Sequence, residues 1–357
     1  MDNVGIDLGK NQSQIAILTE HGELQEFRIR TQRERFQSLF LGRKRAKVLV
    51  EASTESEWVA RLLEEMGHQV IVADPNFAPM YAQRSRKVKT DRRDARALVE
   101  ACRLGAYRLA HRTSDEQRHV RAQLAVRTAL VRTRTRYINL IKALLRYEGL
   151  HMRTGNATSF SRRLKELTLL GHLHEQIEPL LDALKGLEEN IERVEDGVVQ
   201  RCGMDARAGR LCTAPGIGPI TALAFLASVD GVERFRSAHQ VEAYLGLVPC
   251  EWSSSEMQRR GRITKRGPGQ TRQLLVGAGW RVLRSTSPDA AALRAWAERI
   301  AVRRGKRIAV VALARRLAGI LYAMLRDETE YRARVAQCAD QTGTDAQPQA
   351  ESLRHAS

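Results

Sequence analysis

NVGIDLGKNQSQIAILTEHGELQEFRIR, residues 3–30, is the stretch whose reading decides the fold of the N-terminal part of the chain. It contains three apolar runs, NVGIDLG, QSQIAILT and LQEFRIR, and Glu20-His21-Gly22 makes the turn between the last two. Short apolar runs bounded by turn residues read as strands joined by tight connections. The stretch therefore predicts a three-strand antiparallel meander. Outward from it, residues 31–42 read as helix, AKVLVEA (46–52) as strand, residues 56–67 as helix and HQVIVAD (68–74) as strand. Pro75 and Pro79 then interrupt the chain, and a further helix follows. The order βββαβαβ and then helix is that of the ribonuclease-H-like α/β fold.

Past residue 112 the pattern turns helical. Residues 114–150 and about 160–200 read as two long polar helices, with MRTGNATSFS (152–161) as the loop or hinge between them. Leu and Ile recur at three- and four-residue steps in the second helix. The two helices can pack on each other or form a coiled-coil arm that joins protomers. From about 205 the chain is compact again. AGRLCTAPGIGPITALAFLASV (208–229) reads as helix, Gly-rich turn, helix, and AHQVEAYLGLV (238–248) as a further helix. A polar, basic loop or hairpin precedes three more helices near 270–284, 289–303 and 307–326. The expected fold class is α/β plus α. Its parts are a ribonuclease-H-like domain over 1–112, a helical or coiled-coil region over 113–205, and a mostly helical domain over 206–330. The segment 331–357 ends in the polar run TGTDAQPQAESLRHAS and is expected to be disordered.

Charge narrows the function. Lys plus Arg number 59 and Asp plus Glu 41, a net +18 at pH 7 over 357 residues. An excess of that size suits the neutralisation of nucleic-acid phosphates and the release of their counterions. An acidic membrane surface is the competing partner, but no basic amphipathic segment or lipid anchor is evident. Residues 1–8 read as a strand, so no signal peptide is expected, and Arg315 and Arg316 break the apolar run Ile308 to Leu325. Cys102, Cys202, Cys212, Cys250 and Cys338 are odd in number and form no CxxC pair. That pattern fits a reducing cytoplasm and argues against a zinc site.

Four carboxylates stand out. Asp7 ends the first strand and Glu51 ends the strand KVLVE, so both acids are delivered by the same device. In a ribonuclease-H-like sheet those strands are neighbours and their ends converge. Asp91 and Asp94, in KTDRRDARALVEACR, share one face of a helix start, where the helix dipole favours negative charge. Their neighbours Lys87, Lys89, Arg92, Arg93 and Arg96 would equally suit a solvated mixed-charge face. Four gathered carboxylates repel one another unless a cation holds them. One or two Mg²⁺ ions, which prefer oxygen ligands, are the expected occupants. The single Gly-rich turn after Asp7 lacks the further phosphate segments of an actin-like ATPase or sugar kinase.

The C-terminal part carries the other candidates. In PGIGPITA (215–222), Gly216 and Gly218 read as the hairpin of a helix-hairpin-helix motif, able to bring backbone N–H groups to a DNA phosphate. A plain tight helix turn is the bland alternative. Ser253, Ser254 and Ser255 precede Arg259, Arg260, Arg262, Lys265, Arg266 and Arg272, a run that suits a phosphate backbone. A serine hydroxyl is a weak nucleophile that requires activation, and no local Ser/His/Asp pattern supplies it. A metal site brought from elsewhere would.

In this order GIDLGK, the strand-ending Glu51, KTDRRDA, PGIGPITA, AYLGLVP and GRITKRG resemble the insertion-sequence "IS one-ten" family of transposases, from about residue 3 to about residue 326. The resemblance implies a RuvC-like DEDD domain, a helical coiled-coil middle and a C-terminal transposase domain. It implies that Asp7, Glu51, Asp91 and Asp94 are the magnesium tetrad. It implies a catalytic serine a few residues past the LVP motif, best matched by Ser254, with Ser253 and Ser255 as rivals. It further implies a covalent serine–DNA link, active sites shared across a multimer, work at the bacterial nucleoid, and a noncoding guide RNA encoded by the element. Arg127, Arg132, Arg134, Arg136, Lys142 and Arg146 would be its candidate contacts. Two places depart from the family pattern. Ala52-Ser53-Thr54 follows Glu51 where a Thr-Gly pair is frequent, and Ser255-Glu256 follows Ser254 where Gly is frequent. Two other functions compete: a RuvC-like Mg²⁺-dependent junction-resolving endonuclease without a covalent intermediate, and a non-catalytic nucleic-acid-binding protein.

Overall fold

A computed structural model describes residues 1–81, 90–169, 171–251 and 260–333, with the side chain of Arg260 left aside. The chain divides into two compact units, Met1–Thr113 and Ser114–Ser357.

The first unit runs β1 (Asn3–Leu8), β2 (Gln12–Leu18), β3 (Leu24–Arg30), α1 (Arg33–Phe40), β4 (Lys47–Glu51), α2 (Ser56–Glu65), β5 (Gln69–Ala73), a 3-10 turn at Ala78–Tyr81, and α3 (Asp91–Leu104). The expected order βββαβαβ, then helix, is the observed one. The five strands lie in the order β3-β2-β1-β4-β5. β1–β2 and β2–β3 are antiparallel, whereas β1–β4 and β4–β5 are parallel.

Both faces of the central strands are covered, so β1 and β4 read as continuous apolar runs rather than alternating ones. Val4 and Ile6 of β1, with Val48 and Val50 of β4, pack against Phe36, Phe40, Val59, Leu62 and Leu63 of α1 and α2. Leu49 points the other way, to Leu98, Ala101 and Cys102 of α3. Gly5 also faces α3, which lies directly on it: a Cβ there would stand 2.3 Å from Val99 N and 2.5 Å from Ala95 O. Strand alternation puts Asp7 on the side of Gly5, and Glu51 on the side of Leu49. Both acids therefore project onto the face that carries α3.

The second unit begins with α4 (Asp115–Tyr147), α5 (Phe160–Lys165) and α6 (Gly171–Met204). α4 and α6 pack on each other and run antiparallel: Arg127 meets Glu195 near one end, and Ile141 and Leu145 share a cluster with Leu173 and Ile177 near the other. Then come α7 (Ala206–Cys212), α8 (Pro219–Val229), α9 (Ala238–Tyr244), β6 (Pro249–Glu251), β7 (Arg260–Ile263), α10 (Gly269–Arg284), α11 (Pro288–Arg304) and α12 (Lys306–Arg326). Every residue of α8 from Thr221 to Val229 is buried, so this helix is apolar all round because it is the centre of the core. α12 is long and apolar enough to cross a bilayer, yet Leu313, Ala314, Leu317, Ala318 and Leu321 are fully buried in the same core. Val120 and Leu124 of α4, with Val198 and Cys202 of α6, belong to that cluster too. The 334–357 tail lies outside the described residues.

Candidate active site

Three chain reversals shape a cleft at the ends of the parallel strands. After β1, Gly9 N donates to Gln12 O at 3.1 Å, and the Thr31 hydroxyl donates to Gly9 O at 2.8 Å. After β4, the Ser56 hydroxyl donates to Ser53 O at 3.0 Å and accepts from Ser53 N at 3.1 Å. After β5, Asp74 accepts from Asn76 N at 2.9 Å and pairs with Arg108, which ties down the segment leading to Tyr81. Ligand clefts of open α/β sheets characteristically lie beyond such carboxyl ends.

The cleft encloses about 540 Å³ and is lined by Asp7, Leu8, Gly9, Gln12, Glu51, Ser53, Pro75, Tyr81, Asp91 and Asp94. All four sequence-selected acids are among its walls. Asp7 and Glu51 arrive from neighbouring strands, since Ile6 pairs with Val50, one residue before each acid. Asp91 and Asp94 come from the first turn of α3, which Thr90 caps by accepting from Arg93 N at 3.3 Å. Asp94 is buried and Asp91 exposed. The mixed-charge-face alternative fits Asp91, Arg92 and Arg93 but not Asp94.

Sequence reasoning missed Tyr81. Its hydroxyl donates to Glu51 Oε2. Burial first, then the hydrogen bond to Glu51, push its pKa far above the usual phenol value, and the charges of Glu51, Asp94 and Asp7 push the same way. Three of the four acids thus act on one hydroxyl. Nothing in the spacing of FAPMY marks this tyrosine beforehand; only the β5 exit places it.

Glu26 is a second missed residue. From β3 it accepts from Arg96 Nε at 2.7 Å through Oε1 and from Arg92 Nε at 2.8 Å through Oε2. Arg92 and Arg96 flank Asp94 on α3, so the clamp holds the helix start that presents the acids. Hydrogen bonds from Arg96 and then Arg92 lower the Glu26 pKa from 4.5 to about 2. A depressed carboxylate stabilises the fold fully above its unfolded value and loses that contribution as pH falls through its folded one. Both arginines are about half exposed or more, so the effect at neutral pH is below about 1 kcal/mol. Glu26→Gln is expected to lower the melting temperature slightly at pH 7. The difference from wild type should shrink between about pH 4.5 and about pH 2. A difference that grew in acid would refute this role.

The cleft suits a hard cation in its chemistry, which is oxygen-rich and acidic. Among the described residues no three acidic, His or Cys groups are drawn together tightly enough to form a finished metal cage. Magnesium does not demand one, because it keeps several waters and takes phosphate oxygens as ligands.

In the second unit, the candidates divide. Ser253, Ser254, Ser255 and Arg259 lie outside the described residues. Glu251 pairs with Arg260 across β6 and β7, so the chain leaves and re-enters the described part at one place. Arg262, Lys265 and Arg266 are exposed. Arg272 is instead turned inward, with Nη1 donating to the carbonyls of Leu245 and Arg266, both at 2.9 Å. Around it AYLGLVP and GRITKRG cross closely. A Cβ on Gly246 (φ +68°) would stand 2.3 Å from Arg266 O, and one on Gly267 (φ +72°) would stand 2.0 Å from Tyr244 O. Gly216 (φ +78°) lies against Ala278 O, and its carbonyl accepts from Arg281 Nε at 2.9 Å. That spends its conformational freedom on packing α10. Gly218 is the N-cap of α8, with open space where a Cβ would be. Arg281, which the sequence reading passed over, lines the same groove as both glycines, and burial lowers its pKa.

Comparison with known proteins shows the family, through one match that runs from the first unit into the second and another within the second. Residues 4–148 match a transposase family of the DEDD IS110 type, and residues 208–294 match the family described as "Transposase IS116/IS110/IS902 family". The chain is 33% identical over 338 residues to a Pseudomonas aeruginosa protein named "Probable family 20 transposase", covering 93% of this chain and 99% of the relative. It is 30% identical over 335 residues to the Coxiella burnetii transposase for insertion sequence element IS1111A, covering 92% and 91%. A Yersinia enterocolitica transposase for insertion sequence element IS1328 is 28% identical over 340 residues, covering 92% and 98%. With both family matches and 33% identity to a relative over nearly its whole length, the chain belongs to the IS110/IS116/IS902 family of transposases.

Proposed function

We propose that this protein cleaves and rejoins DNA strands by Mg²⁺-dependent phosphoryl transfer, with Asp7, Glu51, Asp91 and Asp94 as cation ligands and a serine of the 253–255 run, best Ser254, as nucleophile. The observation that carries the reading is the presence of all four acids on the walls of one cleft. The strand order β3-β2-β1-β4-β5 supports a ribonuclease-H-like unit around it. When bound, Mg²⁺ would lower the barrier by stabilising charge on the attacking and leaving oxygens. The chain's part is to orient the scissile phosphate. Asp7 and Glu51 are delivered by neighbouring strands, and Asp94 by a helix clamped at Glu26. In the proposed reaction the serine Oγ loses its proton and forms a bond to phosphorus as the bond to the leaving deoxyribose oxygen breaks and that oxygen takes up a proton, and rejoining reverses the exchange.

The +18 charge supports DNA as a partner, and the element ends and target as its substrates belong to the same proposal. Arg262, Lys265 and Arg266 are the best phosphate contacts, being exposed. A noncoding guide RNA and a multimer with composite active sites are part of the same proposal. Arg132, Arg136 and Arg146 of α4 are exposed and suit an RNA backbone, whereas Arg127 is already engaged by Glu195 at 2.8 Å.

The test combines the purified protein with element-end DNA, flanking RNA and Mg²⁺ on a denaturing gel. A protein–DNA adduct that survives denaturation and vanishes in Ser254→Ala is expected. Free cleaved ends with no adduct would instead make the protein a hydrolytic, junction-resolving type of nuclease.

A further inference from the structure

We propose that Tyr81 is a positioning residue of the cleft: its hydroxyl holds Glu51 by Oε2 so that Oε1 stays turned toward the cation-binding space. This rests on the reading of the four acids as cation ligands.

A strand-terminal glutamate has three side-chain torsions, and its backbone fixes none of them. Asp7 is shorter by one torsion and leaves a central strand, and Asp94 is buried, so packing confines it. Glu51 is only half-buried, and the turn after it is closed within residues 53–56, by the two Ser53–Ser56 hydrogen bonds and by Glu55 N donating to Ser53 Oγ at 3.3 Å. Tyr81 supplies what the turn does not. It reaches across from the chain after β5 to a residue thirty positions earlier, and it too lines the cleft. Its own place is set by the buried Met80 beside it, packed with Leu49 and Leu98, and by the Phe77–Asp74 turn, where Phe77 N donates to Asp74 O at 3.1 Å.

A phenol hydroxyl donates one hydrogen bond. A carboxylate offers two oxygens, so one can be held while the other serves a cation. Supporting hydrogen bonds of this kind to metal ligands characteristically change metal affinity 10–100-fold when removed. The half-exposed setting of Glu51 puts the expected effect at the lower end, about tenfold.

The experiment uses the full chain and Mg²⁺ alone, followed by thermal melting across a Mg²⁺ titration. In wild type, Mg²⁺ should raise the melting temperature, and Asp7→Asn should abolish the rise. In Tyr81→Phe, which keeps the ring, the rise should recur with its midpoint moved to about tenfold higher Mg²⁺. Strand cleavage by Tyr81→Phe should be impaired at low Mg²⁺ and restored at high Mg²⁺, which a merely structural defect would not allow. An unchanged or lower midpoint in Tyr81→Phe, with a normal wild-type response, would overturn the role of Tyr81 and leave the cation site standing. No Mg²⁺ response in wild type would overturn the cation reading itself, and Tyr81's role with it.

Discussion

Asp7→Asn is expected to lower DNA strand cleavage roughly 10³-fold while leaving the protein folded, the size of loss typical when one preorganised charged partner of a reacting centre is removed. The side chain it alters sits at the end of a central strand whose preceding residues are fully buried, so the acid cannot be replaced by a shift of its neighbours. Asn keeps the shape and removes one negative charge from a cleft that holds four carboxylates. Repulsion among the remaining three is then smaller. In the absence of Mg²⁺ the variant should therefore melt at or above the wild-type temperature. Single-turnover cleavage and a metal-free thermal melt together decide the matter. Cleavage within a few fold of wild type would remove the cleft from the reaction. A large drop in melting temperature would make Asp7 a structural residue.

Gly5→Ala, two residues away, should fail in the opposite manner. The added methyl would meet Val99 N at 2.3 Å, Ala95 O at 2.5 Å and Leu98 C at 2.8 Å, all backbone atoms of α3. No rotamer change relieves such a clash; the helix must lift from the sheet. Overpacking of this sort costs about 2–4 kcal/mol. Lifting α3 also moves Asp91 and Asp94 away from Asp7 and Glu51, so cleavage should fall even in the fraction that stays folded. Urea denaturation of the two proteins checks the first part, and a midpoint equal to wild type would refute the packing argument. Of the two substitutions in GIDLGK, one thus removes chemistry and keeps the fold, and the other weakens the fold and loses chemistry through it.

The sequence announced the strands of the first unit because their runs are short, apolar and bounded by Gly, Pro or polar turns, a pattern that leaves little choice of period. It announced Asp7 and Glu51 because an acid ending an apolar strand is an uncommon placement. Tyr81 and Glu26 stayed hidden for one shared reason: each acts on a residue far away in the chain, Glu51 and the Arg92–Arg96 pair. Spacing carries no trace of such encounters. Basic residues posed the reverse problem. Arg272 reads like its neighbours Arg262 and Arg266, but a guanidinium facing two carbonyls and one facing solvent are indistinguishable in composition.

The crossing of Gly246 and Gly267 bears on how this chain can evolve. Two motifs about twenty residues apart look like independent signatures, each free to drift. The backbone contacts make them one object, since a side chain at either position would collide with the backbone around the other. Substitutions there should therefore be inherited together. Lineages that acquire a larger residue at position 246 should carry a displaced or lengthened chain around 266 and 267, and the reverse. Among homologous sequences these two positions are expected to covary with each other more strongly than with their own neighbours along the chain.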